Sequence, residues 1–200
     1  LTTSNIILRT QAGVVVTGYS ISYDPSTLTA TVNLNSTQLT SETTYQLAVN
    51  QTAITDTSGN ALGGNTNYQI SQFTVGDYTA PVLSSTVPVN GATNVAIESS
   101  ISLTFSESMN TSSLVSPNIR LRRESDASIV GLNAPVYSNG NKTVTFQPTS
   151  NLGNNESYSI VIKPNQISDI SGNVMSNATE SVVSTFTTIN SVQITINPSP

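Results

Sequence analysis

The sequence predicts an all-β protein of tandem Greek-key β-sandwiches, the first of them lacking its two N-terminal strands. Three observations carry this expectation. The chain contains itself: ITDTSGNAL at 54–62 returns as ISDISGNVM at 167–175, SNIILR at 4–9 as SPNIRLR at 116–122, and SQFT at 71–74 as STFT at 184–187. Asp56 and Asp169, Tyr45 and Tyr158, and Phe73 and Phe186 all stand 113 residues apart, which is the length of a domain and not of a solenoid turn. Apolar residues alternate with Ser, Thr and Asn in short runs, and no segment sustains a 3.6-residue period.

Taken in order, the first copy shows Ile6 and Leu8, then Ala30, Val32 and Leu34, then Tyr45, Leu47 and Val49, each set on one face of an extended segment. The second copy shows Ile101, Leu103 and Phe105, then Ile119 and Leu121, then Val144 and Phe146, then Tyr158, Ile160 and Ile162. Turn-forming clusters separate these runs: Ser58-Gly59-Asn60, Asn139-Gly140-Asn141, Gly153-Asn154-Asn155 and Ser171-Gly172-Asn173. One helical turn is expected near Met109–Leu114, with Asn110 as its cap. About seven short strands in each ~110 residues predict a β-sandwich. Leu39 and Leu152 each precede a Tyr by six residues, which suits a tyrosine corner at Tyr45 and Tyr158.

Composition excludes several classes of function. The chain has 200 residues, a net charge of −5, and no Cys, His or Trp. Disulfides, thiolate metal sites and imidazole chemistry are therefore impossible. Charged residues make up only 8% of the chain, against about 25% in an ordinary domain, and Ser, Thr and Asn take the polar positions. An acidic chain of pI near 4.4 is a poor partner for nucleic acid. Its only basic cluster, Arg120, Arg122 and Arg123, runs straight into Glu124 and Asp126 and reads as a solvated strand face. No apolar run approaches the ~20 residues that span a bilayer, and Leu1 opens directly onto repeat sequence without a signal peptide.

The complete copy carries motifs specific enough to name a family. Pro88, Gly91 and Val95 form a Pro-x-x-Gly-x-x-x-Val opening, and Phe105 to Met109 read Phe-Ser-Glu-Ser-Met. Leu152 and Tyr158 make the Leu…Tyr pair, Asp169, Gly172 and Asn173 an Asp-x-x-Gly-Asn turn, and Phe186 to Thr188 a Phe-Thr-Thr ending. This copy resembles the bacterial Ig-like domain of the S-layer SbsA type. The resemblance implies Ig-like sandwiches arrayed on prokaryotic surface-layer proteins, adhesins or secreted enzymes, in a spacer or scaffold role.

The expected organisation is a partial Ig-like domain at 1–77, a complete one at 78–188 and a lone strand at 189–200. Leu1 to Ile6 align with Leu114 to Ile119, so the first copy lacks the counterpart of Pro81–Ser113. In the tail, Val192, Ile194 and Ile196 alternate with polar residues, and Val192 to Pro198 repeats the spacing of Val82 to Pro88. The tail reads either as the first strand of a further domain or as a strand donated to the open copy of a neighbouring subunit. The expected partners are copies of the chain or adjacent repeats in a polymer or lattice, at the cell surface.

No catalytic constellation is present. A Ser triad needs a base that a His-free chain lacks, and no second carboxylate is fixed near Glu107 to make a glycosidase pair. The Asp turns are weak calcium candidates: Asp56 with Asn60, and Asp169 with Asn173, with Asp77 as a further ligand from the linker. Calcium takes six to eight oxygens, and one carboxylate per turn is few. The simpler reading is an Asx-turn in which the Asp holds local amides and the Gly takes positive φ. No cofactor is expected. The chain is read as a non-enzymatic extracellular structural protein. The alternative is a carbohydrate- or surface-binding module, which would need several of Tyr19, Tyr23, Tyr78 and Tyr137 clustered on one exposed face.

Overall fold

The computed structural model describes residues 1–35 and 39–190. It divides into two compact units, Leu1–Tyr78 and a second from Thr79 onward. All thirteen strands among the described residues pair antiparallel within their sheets. The one helical segment among them is a 3-10 turn at Pro164–Gln166. The helical turn expected at Met109–Leu114 is absent. Asn110 still caps that stretch, its Oδ1 accepting from Ser112 N at 3.1 Å, but the chain makes only consecutive turns there. Asn110 N donates to Ser168 O at 3.0 Å, which ties the segment to the opposite loop.

The second unit is a complete two-layer sandwich. One sheet has the order β10-β11-β7-β6, from Val136–Ser138, Thr143–Phe146, Ile101–Phe105 and Leu83–Val87. The other has the order β13-β12-β8-β9, from Ser181–Thr187, Ser157–Ile162, Ile119–Arg123 and Ile129–Val130. The period-two alternation places Ile101, Leu103, Phe105, Leu121, Val144, Phe146, Tyr158, Ile160 and Phe186 in one buried core between the layers. Cross-strand hydroxyl pairs sit on the strands' other faces: Ser102 with Thr145 at 2.7 Å, Thr104 with Thr143 at 3.1 Å, and Ser159 with Thr185 at 3.0 Å. These pairs explain why so few charges are present, since Ser and Thr stabilise facing strands directly.

The tyrosine corner forms in both units. Tyr158 Oη accepts from Gly153 N at 2.8 Å and Tyr45 Oη from Thr40 N at 2.8 Å, each five residues upstream. Behind each corner the ring stacks on the last strand's Phe: Tyr158 on Phe186 and Tyr45 on Phe73, with centroids 5.8 Å apart in both.

The first unit has the same corner on an incomplete frame. Its larger sheet has the order β1-β4-β5, from Ile6–Thr10, Thr44–Val49 and Tyr68–Thr74, and corresponds to β8-β12-β13. Its second layer is the hairpin β2-β3, Ser20–Asp24 and Thr29–Asn33, which corresponds to β10-β11. Among the described residues, no strand of this unit corresponds to β6 or β7. The consequence is visible in exposure. Phe186 is 1% exposed while its counterpart Phe73 is 40% exposed, and Leu34, expected in a core face, is exposed. A small cluster of Leu8, Tyr19 and Tyr45 holds this unit together, with Tyr19 Oη donating to Ile6 O at 2.7 Å and accepting from Leu8 N at 3.2 Å.

The two Phe residues should therefore respond differently to truncation. Phe186→Ala leaves a cavity in a closed core and is expected to cost about 3–5 kcal/mol. Phe73→Ala removes a half-exposed ring and should cost less than about 2 kcal/mol in the unassembled chain. Urea denaturation of both variants checks this; equal losses would mean that the first unit is as closed as the second.

Candidate functional site

The residues singled out by the sequence converge on two structures, a repeated Asp turn and an uncovered sandwich face. In the second unit, Asp169 is fully buried. Its Oδ1 accepts from Ser171 N at 2.8 Å and Asn173 N at 2.9 Å, and its Oδ2 from Asn173 Nδ2 at 2.8 Å. The turn closes with Asp169 N donating to Asn173 O at 3.1 Å and Met175 N to Ile167 O at 2.9 Å. Gly172 takes φ +91°, which only glycine adopts without strain.

The first unit repeats this arrangement bond for bond. Asp56 Oδ1 accepts from Ser58 N and Asn60 N, both at 2.8 Å, and Oδ2 from Asn60 Nδ2 at 2.9 Å. Gly59 takes φ +86°. The bonds from Asn60, side chain first and then backbone, hold the Asp56 carboxyl below its ordinary range. Chemically, each carboxylate acts as an acceptor template for a tight loop. Asp77, at the end of the first unit, accepts from Ser41 Oγ at 2.8 Å, and Tyr78 N donates to the same hydroxyl at 3.0 Å.

What differs between the copies is what covers the turn. In the second unit, Ser108–Asn110 lies against it: Asn110 N donates to Ser168 O, and Ile170 N to Ser108 O at 3.3 Å. Met109 there is fully buried and bridges to Asp169. That is the work of the Phe-Ser-Glu-Ser-Met strand end. The described residues of the first unit show no such segment, and a cavity of about 540 Å³ lined by Leu1, Tyr23, Ile54, Thr55 and Asp56 opens beside its turn.

The Pro-x-x-Gly-x-x-x-Val opening has an equally definite role in the second unit. Residues 88–95 run along β13 and close its edge. Gly91, at φ +81°, donates its N–H to Thr185 O at 2.7 Å; Thr187 N donates to Ala92 O at 2.8 Å and Val95 N to Thr187 O at 3.1 Å. Pro88 O accepts from Ser184 Oγ at 2.9 Å. In the first unit the corresponding edge, β5, has β4 as its only strand neighbour among the described residues, and every residue of β5 is exposed, Ile70 by 52%. Unpaired sheet edges are in general where a further strand can pair. Pro88–Val95 lies within Pro81–Ser113, the stretch that has no counterpart in the first copy, so the bare edge of β5 belongs to the same deficit as the strands.

The remaining candidates do not build a site. Tyr19 is buried and Tyr137 is half-buried with its hydroxyl on Thr111 O at 3.0 Å, so only Tyr23 and Tyr78 of the four are exposed. The arginine cluster is matched by acids: Arg120 with Glu180, Arg122 with Glu124 at 3.0 Å, and Arg123 with Asp126 at 3.4 Å. The expected assembly residues Val192, Ile194 and Ile196 lie outside the described residues. No helix among the described residues is long and apolar enough to cross a membrane.

Two tyrosine-cornered antiparallel sandwiches on one 113-residue frame define an Ig-like protein. A family model described as bacterial Ig-like domain matches residues 1–75 and again residues 77–188, and the chain belongs to that family. Among solved structures, the chain is similar to the N-terminal part of the bacterial S-layer protein SbsC, at 16% identity and a TM-score of 0.43, over 57% of this chain and 24% of that one. It is also similar to domains 1-6 of surface layer protein SbsC, at 16% identity and a TM-score of 0.42, over 57% of this chain and 14% of that one. The chain thus spans less than a quarter of the length of these proteins. A comparison with curated protein sequences gave no match.

Because the lowered carboxyl of Asp56 is the folded form's property, its contribution is present above the unfolded carboxyl range and is lost as pH falls through the folded value. NMR titration is expected to place its midpoint below the ordinary 3.8, and Asn60→Ala should move it back up. A midpoint at or above 3.8 would show that the turn does not hold the carboxylate.

Proposed function

We propose that this protein is a non-enzymatic extracellular scaffold: a surface layer, filament or adhesin stalk of repeated Ig-like domains, joined by strand complementation. The S-layer SbsA type is the finer assignment its motifs favour. The observation that carries the reading is the contrast between the two units. Among the described residues, one repeat is closed by β6, β7 and the segment 88–95, and the other shows a bare β5 edge and a cavity beside its Asp turn. Two missing strands normally bury several large side chains, each contributing about 1.5–3 kcal/mol, against a total domain stability of about 5–15 kcal/mol. A unit this open gains its stability from the segment that covers it, whether chain outside these 200 residues, an adjacent repeat or a second copy, and repetition of such contacts produces a polymer or lattice. Tail strand Val192–Ile196 is the donor this reading assigns, and the cell surface is the location.

Calcium has no role in this reading. Three of the acceptor positions on each turn carboxylate are taken by the turn's own N–H groups. Asp56, Asn60, Asp77, Asp169 and Asn173 then serve as loop-closing groups. A chelator is expected to leave the melting temperature unchanged; a rise of several degrees on adding calcium would sink this part of the proposal.

Assembly tests the whole reading. The 200-residue chain should form polymers visible by electron microscopy, and deletion of Ser191–Pro200 should abolish them while residues 79–188 stay folded. A cooperative, fully folded monomer in dilute solution would overturn the scaffold reading.

A further inference from the structure

The sequence contains the dipeptide Asn-Gly twice, as Asn90-Gly91 and Asn139-Gly140, and both lie in the second unit. Such a pair carries its own chemistry. The backbone nitrogen of the glycine can attack the side-chain carbonyl carbon of the asparagine, and a residue without a Cβ leaves that approach open. All four residues are exposed, so exposure does not separate the two pairs. Hydrogen bonding does.

In Asn90-Gly91 both reacting groups are held by one residue of β13. Asn90 Oδ1 accepts from Thr185 N at 2.9 Å, and Gly91 N donates to Thr185 O at 2.7 Å. On either side, Ala92 O accepts from Thr187 N at 2.8 Å and Pro88 O from Ser184 Oγ at 2.9 Å. Bringing the Gly91 nitrogen onto the Asn90 side chain therefore means detaching this whole segment from β13.

Asn139-Gly140 begins the loop of the hairpin between β10 and β11, whose last pair is Ser138 with Thr143. Among the described residues, none bonds to the Asn139 side-chain amide or to Gly140 N. The loop is fastened to its surroundings on its far half: Met109 N donates to Asn141 O at 3.2 Å and Phe105 N to Lys142 O at 2.8 Å. The near half has the bond from Lys142 N to Asn139 O at 3.2 Å. Asn139, Gly140 and Asn141 all take positive φ, at 53°, 61° and 62°. Ring closure turns Asn139 out of this left-handed conformation, which L-residues avoid, and the Lys142 bond is what resists the turn.

We propose that Asn139 is a modification site, where non-enzymatic deamidation proceeds through a succinimide in the folded protein while Asn90 keeps its amide. The Gly140 nitrogen gives its proton to solvent base and forms a bond to Asn139 Cγ. The Cγ–Nδ2 bond breaks, and that nitrogen takes a proton from water and leaves as ammonia. A second water opens the ring. Opening at Cγ gives aspartate. Opening at the backbone carbonyl gives isoaspartate, with the main chain routed through Cβ and Cγ. Either product adds one negative charge to a chain whose net charge is −5. The site belongs to the second unit alone and does not depend on the scaffold reading.

The test is to hold the full chain warm at mildly alkaline pH and follow both positions by peptide mapping with mass spectrometry. Methylation by an isoaspartyl methyltransferase reads the isoaspartate directly. In the folded chain Asn139 should convert about tenfold or more faster than Asn90, and the Gly140 amide should exchange its hydrogen about tenfold or more faster than that of Gly91. In concentrated urea, where neither loop exists, the two asparagines should convert at comparable rates. Asn139→Gln should abolish the fast conversion and leave the fold unchanged. Equal rates in the folded chain would overturn the proposal, as would an Asn139 that converts in urea but not when folded. An excess at Asn139 that persists undiminished in urea would show that neighbouring sequence and not the fold sets the rate, and would also overturn it.

Discussion

A sheet with one apolar face is stable only when a second layer covers that face, and every feature of this chain follows from how that requirement is met or left unmet. The second unit meets it from its own sequence. Its two four-stranded layers enclose Phe105, Phe146, Tyr158 and Phe186, and its opening segment and Met109 seal the remaining edge and loop. The first unit has the same three-stranded sheet and the same Tyr–Phe stack, but only a hairpin over it. Its aromatic pair is formed and yet half-wet, because ring stacking fixes geometry while burial needs a lid.

Much of this was legible in the sequence, for a reason that can be stated residue by residue. The alternation at Ile101-Ser102-Leu103-Thr104-Phe105 has one physical meaning, a strand with one face inside. The six-residue interval from Leu152 to Tyr158 and from Leu39 to Tyr45 places a ring over a corner whose amide its hydroxyl can reach. Asp56 and Asp169 were readable as loop-closing groups because an Asp followed by Gly at i+3 and Asn at i+4 can satisfy its oxygens locally. What the sequence did not show was context. Phe73 and Phe186 lie in near-identical motifs, and their difference in exposure comes from what surrounds each: the second unit has β6, β7 and Pro88–Val95, and the described residues of the first show no counterpart.

Charge scarcity also takes on a structural meaning. With few ion pairs, the outward faces of the strands rely on Ser and Thr hydroxyls facing one another, as at Ser102–Thr145 and Thr44–Thr74. Such pairs are neutral and short-ranged, so neither salt nor moderate pH alters them. The three arginines of β8 and the turn that follows it are an exception of limited extent, each held by an acid within the same unit. An exterior of this kind is well suited to repetition, since stacking many copies accumulates little like-charge repulsion.

The path of Pro88–Val95 beside β13 has a mechanical consequence. Val95 bridges Thr188 in parallel, and Ile189 N returns a bond to Val95 O at 2.8 Å. One of these segments lies close to where the chain enters the unit and the other to where it leaves. Tension along the polypeptide therefore slides the two past each other, and their hydrogen bonds must fail together in shear where an antiparallel hairpin pulled from its open end would unzip one bond at a time. The second unit is fastened against pulling by its own sequence. Among the described residues β5 of the first unit has no such companion, so whatever segment lies along it governs the force at which that link of the chain gives way.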